Sequence, residues 1–440
     1  MANIFVRSPY IISINETGQT TTGIEIYLWN GTGSAPTTPQ YTLNKAIPSS
    51  TNTNTNYDIS PYVREYLSHV ATQSPVALST SFTNLATTQW CNVRIRKFAF
   101  TTSLNYLGEV NHYAHDGYSF YESGYNFDHG RFLLEQKEYF YNEDATYAGE
   151  VACYLNSGEK IKYGNGFTSS TATINSTSIG FGIRQITSVS VSGDYTAETL
   201  VGSALYFTYE YEFGQPTTSW TGVVLSSSYN SGTNTTTIIP NFGGTIPTID
   251  DGLSNSGNRT VTIGSAETYT VPSSGWFTIP RVLSTYKTLR IFNSALSTLY
   301  ASWTFTPICE PKYTPVVIDF INKYGAWQRE FFFKASKTNI SIESNDYNVM
   351  QSSANYDVLQ GQKRSFNTNG METISVNSGY VNEDFSSNIK QLLMSERVLV
   401  DNKPAICKTK SLELMKNINN HMINYSLEFE FAYNSINNVI

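Results

Sequence analysis

From Ile423 to Tyr433 every second residue is apolar. Ile423, Tyr425, Leu427, Phe429, Phe431 and Tyr433 line one face, and Asn424, Ser426, Glu428 and Glu430 line the other. A period of two predicts a half-buried β-strand. The same pattern recurs upstream. Ile24, Ile26 and Leu28 alternate with Glu25, Tyr27 and Trp29, and Cys91, Val93 and Ile95 alternate with Asn92, Arg94 and Arg96. Leu205, Phe207, Tyr209, Tyr211 and Phe213 form an apolar row against Thr208, Glu210 and Glu212. Val316, Val317, Ile318, Phe320 and Ile321 make a continuous apolar run, Gly325 marks a turn, and Trp327 to Phe333 resume as a strand.

Helical spacing appears twice. Ser60-Pro-Tyr-Val-Arg-Glu-Tyr-Leu predicts a short helix with Ser60 capping the free amides and Pro61 in the first turn, where no amide donor is needed. Between Glu383 and Met394, Phe385, Ile389, Leu392 and Leu393 fall on one side at three- and four-residue spacing, which predicts an amphipathic helix. Val398 to Val400 restart a strand, and Asp401-Asn402 turns.

These elements group into three segments: an N-terminal β domain over 1–150, a Ser/Thr/Gly-rich β-sandwich-like insert over 151–310, and a C-terminal β domain with one amphipathic helix over 311–440. The expected fold is mainly β with a few short helices, in a multi-domain β-sandwich or β-barrel-like architecture. Residues 30–40 and the low-complexity stretch 48–57 read as exposed loops.

Composition sharpens this picture. Of 440 residues, 40% are hydrophobic and only 14% charged. The charged share is well below the usual quarter, so long helices with charged faces are not expected. With 31 Tyr and 24 Phe the chain has ample material for a core, which argues against disorder. The net charge is −7, and Arg94, Arg96 and Lys97 are the densest basic cluster. A duplex-binding surface needs clustered cations, so no specific nucleic-acid binding is expected. The cysteines, at 91, 153, 309 and 407, form no CxxC pair and read as reduced structural residues of a chain that folds in a cytoplasm. No apolar run approaches the ~20 residues a membrane helix needs, and the N-terminus has no signal-peptide pattern.

Candidate chemistry is sparse. His112 and His115, with Asp116, Asp128 and His129, form the most metal-like cluster. A three-residue separation in a strand puts the two rings on opposite faces, so no metal or other cofactor is expected. Tyr118, Tyr121, Tyr125, Tyr139 and Tyr141, with Glu122 and Asp128, have the composition of a sugar-stacking platform. Carboxylate pairs such as Glu143 and Glu150 satisfy a glycosidase spacing only as many other pairs do. There is no GxSxG elbow and no GxxxxGK[ST] loop. The expectation is a non-enzymatic protein. A β-rich chain of low charge must cover its edge strands or pair them with neighbours, which suits a subunit that assembles.

Several strings resemble virion proteins of tailed phages that infect Bacteroidetes, especially the crAss-like podoviruses. Near the N-terminus these are RSPYI from Arg7, GIEIYLWNG, PQYTLNK, YDISPYVREYL and AHDGYSFYESGYN. Further on they are CEPKYTPVVIDFINKYGAWQREFFFK, SGYVNEDFSSNIKQLLMSERVLV and NYSLEFEFAYNSINNVI. The resemblance implies a structural subunit of a ring in the tail or neck around the DNA channel, made in the host bacterial cytoplasm. Implied partners are further copies of itself, in six or twelve, and other tail, neck or portal proteins, without membrane insertion. It implies interface strings at 58–67 and 384–400, with Tyr62, Arg64, Tyr66, Phe385, Leu392 and Leu393 as contacts, and loops such as 30–56 reaching neighbours. The alternative is a receptor-binding fibre or adhesin that holds host glycans on Tyr118, Tyr121, Tyr125 and Glu122.

Overall fold

The structure is a computed structural model. It describes residues 2–30, 33–67, 83–84, 90–126, 131–133, 138–142, 151–163, 167–169, 172–180, 183–196, 199, 201, 204–210, 217–242, 248–250, 259–263, 267–279, 288–308, 313–350, 357–413 and 423–436. The fold is mainly β, built from several sheets, with two α-helices among the described residues. The chain divides into two compact units. One holds Met1–Leu155, Ser274–Arg281 and Pro307–Ile440, and the other holds Asn156–Ser273 and Val282–Thr306. Both terminal segments therefore belong to one unit.

In the first unit a five-stranded sheet orders its strands Ala2–Phe5, Leu104–His115, Trp90–Phe100, Thr21–Trp29 and Tyr41–Ala46. Ile24, Ile26, Cys91, Val93 and Ile95 point into one core, as their alternation predicts. That core is closed by the Ile11–Asn15 and Asn54–Asp58 pair and by α1 (Ser60–Tyr66), which contributes Val63.

Two expectations are corrected here. Residues 48–57 are not all loop, because Asn54–Asp58 is a strand that buries Thr55 and Tyr57. Thr22 Oγ1 lies 2.6 Å from Thr55 Oγ1 and 2.8 Å from the Tyr57 hydroxyl, so polar side chains enter the core already hydrogen-bonded. Nor does Ser60 cap α1. Its hydroxyl donates to Ser8 O and accepts from Tyr10 N, while Asp58 Oδ1 accepts from Ser60 N at 3.0 Å.

A seven-stranded sheet orders Trp327–Phe332, Val316–Ile321, Val398–Val400, Lys403–Cys407, Ile423–Phe431, Lys363–Val381 and Lys337–Asn348. Val398–Val400 and Lys403–Cys407 form a hairpin through Asp401 and Asn402 at φ 48° and 62°, the two-residue turn that matches strand twist. The Ile423–Phe431 strand buries every odd residue, and α2 (Phe385–Leu393) lays Phe385, Ile389 and Leu392 on the same core. Within this unit, backbone also meets backbone: Tyr118 N donates to Lys323 O at 2.8 Å. A Cβ on Gly117 would lie 2.6 Å from Lys323 O, and one on Gly325 2.8 Å from Asp116 C. Phe5, Trp90, Phe132, Tyr154 and Ala326 form a small aromatic core beside this crossing.

The second unit contains a sheet ordered Phe167–Ser169, Arg259–Ile263, Ala204–Glu210, Thr217–Asn230, Thr235–Asn241, Ile183–Ser192 and Thr173–Gly180, with Thr248–Asp250 also paired to Ile183–Ser192. Glu267–Thr270, Lys160–Tyr163, Thr288–Phe292 and Leu299–Ile308 lie side by side in another sheet. Leu205 is buried as expected, whereas Tyr211 and Phe213 lie outside the described residues.

Candidate assembly surface

The Lys337–Asn348 strand is exposed at all twelve positions. It pairs antiparallel with Lys363–Val381, from Lys337 opposite Ser375 to Asn348 opposite Lys363, with a register shift between Glu343 and Asn345. The inner strand pairs on its other side with Ile423–Phe431 only from Thr373 to Val381. Beyond Thr373 it continues as a ribbon paired, among the described strands, with Lys337–Asn348 alone. There Ser435 N donates to Gly370 O, and Asn369 exchanges hydrogen bonds with the backbone of Ile436.

Polar pairs hold the ribbon together: Ser365 Oγ donates to Asp346 Oδ1 at 2.6 Å, and Lys363 Nζ stands 2.9 Å from Asp346 Oδ2. The Tyr347 and Phe366 rings meet edge to face at 5.5 Å. An isolated two-stranded ribbon is marginal in water. This one also exposes Ile340, Ile342, Phe366, Val358 and Leu359, the last at 95%. Among the described residues its outer strand is a sheet edge, the kind of surface that recruits another strand. At the register shift a cavity of about 640 Å³ opens, lined by Ser341, Asn345, Asn367, Asn369 and Asn434. Its amides and hydroxyls offer both donors and acceptors to a passing backbone.

The anticipated contact residues lie elsewhere. Phe385 and Leu392 are 4% and 1% exposed in the core under α2, and Leu393 packs against the same cluster. These side chains serve the fold and are not free for a neighbour, because the apolar face of α2 is turned onto its own sheet. Tyr62 and Tyr66 pack against the N-terminal core, and Tyr62 meets Tyr41 at 5.1 Å between ring centroids. Arg64 donates to both carboxylate oxygens of Glu396, at 2.9 and 2.8 Å, and Arg7 reaches the same carboxylate at 3.1 Å. The two strings expected to meet other subunits thus meet each other. Nor is 30–56 one long loop, since it contains the Tyr41–Ala46 strand.

The aromatic platform is split. Tyr118 is 7% exposed, with Arg7 over its ring at 5.2 Å, so its faces are not open. Tyr121 is fully exposed and Tyr125 is 66% exposed, on either side of Glu122. Side-chain positions of Tyr139 and Tyr141, and residues Asp128, His129, Glu143, Glu150 and Cys309, lie outside the described residues.

His112 and His115 do occupy opposite faces of the Leu104–His115 strand. His112 meets the Tyr10 ring, and His115 sits among Phe5, Phe132 and Tyr154 with Nε2 3.1 Å from Asn3 Oδ1. Among the described residues no group of three or more His, Cys, Asp or Glu is placed to hold a metal ion. Cys91 is fully buried, and burial pushes its thiol up to about 12, far from a reactive thiolate.

One buried acid had no signal in the sequence. Glu330 faces the core under α2, where its Oε1 accepts from Gln328 Nε2 at 2.8 Å and from Asn388 Nδ2 at 2.6 Å. Burial pushes its carboxyl up to about 7, and these two hydrogen bonds offset part of that rise. Both of its hydrogen-bond partners come from the fold's own Gln328 and Asn388, so it reads as a structural acid.

No helix among the described residues is long and apolar enough to cross a membrane. No family model, curated protein or solved structure matches the chain.

Proposed function

We propose that the protein is a non-enzymatic structural subunit of a tailed-phage virion, part of a ring in the tail or neck around the DNA channel. The observation that carries an assembling role is the ribbon of 337–348 and 363–372, whose outer strand buries none of its side chains. Such an arm loses backbone entropy and gains almost no core of its own. It becomes useful when a neighbour covers it. The phage assignment rests on the strings at both ends of the chain, and the acidic balance of −7 agrees with a conduit that must not hold passing DNA. Partners in this reading are further copies of the chain and adjoining tail, neck or portal proteins, with no cofactor. Mass spectrometry of purified particles tests it: the protein is expected in the virion in six or twelve copies, and its absence from particles overturns the reading.

A second reading is favoured by one observation. Tyr121 and Tyr125 present open ring faces beside Glu122, the arrangement by which an adhesin stacks sugar CH groups and accepts hydroxyl hydrogen bonds. In that case host glycans bind the wild-type protein, and Tyr121→Ala abolishes binding. Failure to bind any host polysaccharide removes it.

A further inference from the structure

We propose that the free edge of the Lys337–Asn348 strand pairs with the same edge of a second copy, antiparallel and centred on Ile340. The inference rests on the reading of the protein as an assembling subunit, not on where it assembles.

The argument begins with the regular stretch Lys337–Glu343, which precedes the register shift. Its even residues Thr338, Ile340 and Ile342 share one face, and Lys337, Asn339, Ser341 and Glu343 share the other. Around a two-fold axis through Ile340, Lys337 of each copy lies opposite Glu343 of the other. Thr338 lies opposite Ile342, Asn339 opposite Ser341, and Ile340 opposite itself. Both ends therefore carry an opposite-charge cross-strand pair, and the polar face matches polar against polar. On the other face, the exposed Ile340 and Ile342 of both copies, at 55% and 68%, join into one apolar strip. Within each copy, Gly370 stands opposite Ile342, and Ile340 packs over that glycine.

Neighbouring registers are worse. Centring on Asn339 sets Lys337 opposite Ser341, and centring on Ser341 sets it opposite Asn345 across the irregular step. Either leaves the charges unmatched. The backbone agrees as well: even residues pair with even and odd with odd, so the outward N–H and C=O groups of the two edges meet. Such a contact is isologous and two-fold, whereas a ring closes through heterologous contacts. It therefore joins two subunits, or two facing rings, in addition to any lateral contact. A seven-residue strand pair is a small interface, so a dissociation constant on the order of 10 µM is expected.

Cysteine scanning of the full chain tests this. In a Cys407→Ser background, which removes the partly exposed thiol and leaves Cys91 and Cys153 buried, Ile340→Cys should give a disulfide-linked dimer under mild oxidation well above its parent. Thr338→Cys and Ile342→Cys should cross-link when mixed and only weakly alone. Val358→Cys, exposed but outside the paired stretch, should not exceed the parent. In sedimentation, Lys337→Glu should weaken self-association at least tenfold, and Lys337→Glu with Glu343→Lys should restore it. Equal cross-linking at 340 and 358, or a parent chain that stays monomeric at about 100 µM, overturns the proposal. So does an edge that captures only a different protein. The two readings fail separately: a dimer from a chain missing in virions keeps this pairing and loses the phage role, and a monomeric chain found in virions does the reverse.

Discussion

Asn388 Nδ2, on α2, donates to Glu330 Oε1 across a fully enclosed contact of 2.6 Å, while Oδ1 of the same amide is buried without a partner. A neutral carboxyl has the O–H that this oxygen lacks. The adjacent Arg329 pairs with Asp319 at 2.6 and 2.7 Å on the opposite face of the two strands. Lys390 of α2 lies over the Phe120 ring. No cation among the described residues pairs with Glu330.

The pH dependence follows from linkage. The carboxyl has a raised folded value of about 7 against 4.5. Between those values the folded state holds more protons than the unfolded one, so stability falls as pH rises. The contribution is complete below about 4.5 and is lost as pH rises through about 7. Its full size is on the order of 3 kcal/mol. Urea unfolding at pH 5, 6, 7 and 8 should show this decline, and Glu330→Gln, which keeps the acceptor and adds an N–H, should flatten it. An unchanged slope in the variant would mean that other groups carry it.

Leu392→Ala separates core from interface. A side chain 1% exposed in the core should cost about 2–5 kcal/mol of stability on truncation. The particle size of the folded remainder should not change. Loss of assembly with an unshifted melting midpoint would return Leu392 to a contact between subunits.

Glu396→Ala removes an acceptor shared by Arg64 and Arg7. Both the acid and Arg64 are substantially exposed, at 57% and 44%, so a cost of about 1 kcal/mol or less is expected, shrinking in high salt. A larger loss measured by thermal unfolding would show that the network does more than screened surface pairing.

Gly325→Ala should be far more damaging. Its φ is +85°, and its Cβ would lie 2.8–3.0 Å from three backbone atoms of Asp116. Left-handed strain alone costs on the order of 1–3 kcal/mol, and neither backbone can yield cheaply. Poor soluble yield or a sharply lowered melting temperature is expected; a wild-type melt would refute the close approach.

Much of the fold was legible because most strands bury one face. Ile423–Phe431 advertises an inside and an outside, and α2 does so at helical spacing. The 337–348 strand was missed because its alternation is short: only Ile340 and Ile342 alternate with Asn339, Ser341 and Glu343, and neither face is buried. Thr55 and Tyr57 were misplaced because a Thr/Asn-rich run looks like loop until its hydroxyl partners are known. Arg64 and Glu396 were separately visible, but nothing local announces a contact across 332 positions. Glu330 sits in Trp-Gln-Arg-Glu-Phe-Phe, where strand alternation predicts a face but not a proton.

The crossing of residues 116–118 over 322–326 also sets an order of events during synthesis. Tyr118 N waits for the carbonyl of Lys323, and Arg64 waits for Glu396. The first unit cannot finish while the ribosome is still making its later strands, whereas most of the second unit, 156–273, is contiguous and has its strand partners in hand sooner. Early sheets must therefore persist half-covered, and a truncated or stalled chain would present that crossing bare to chaperones and proteases.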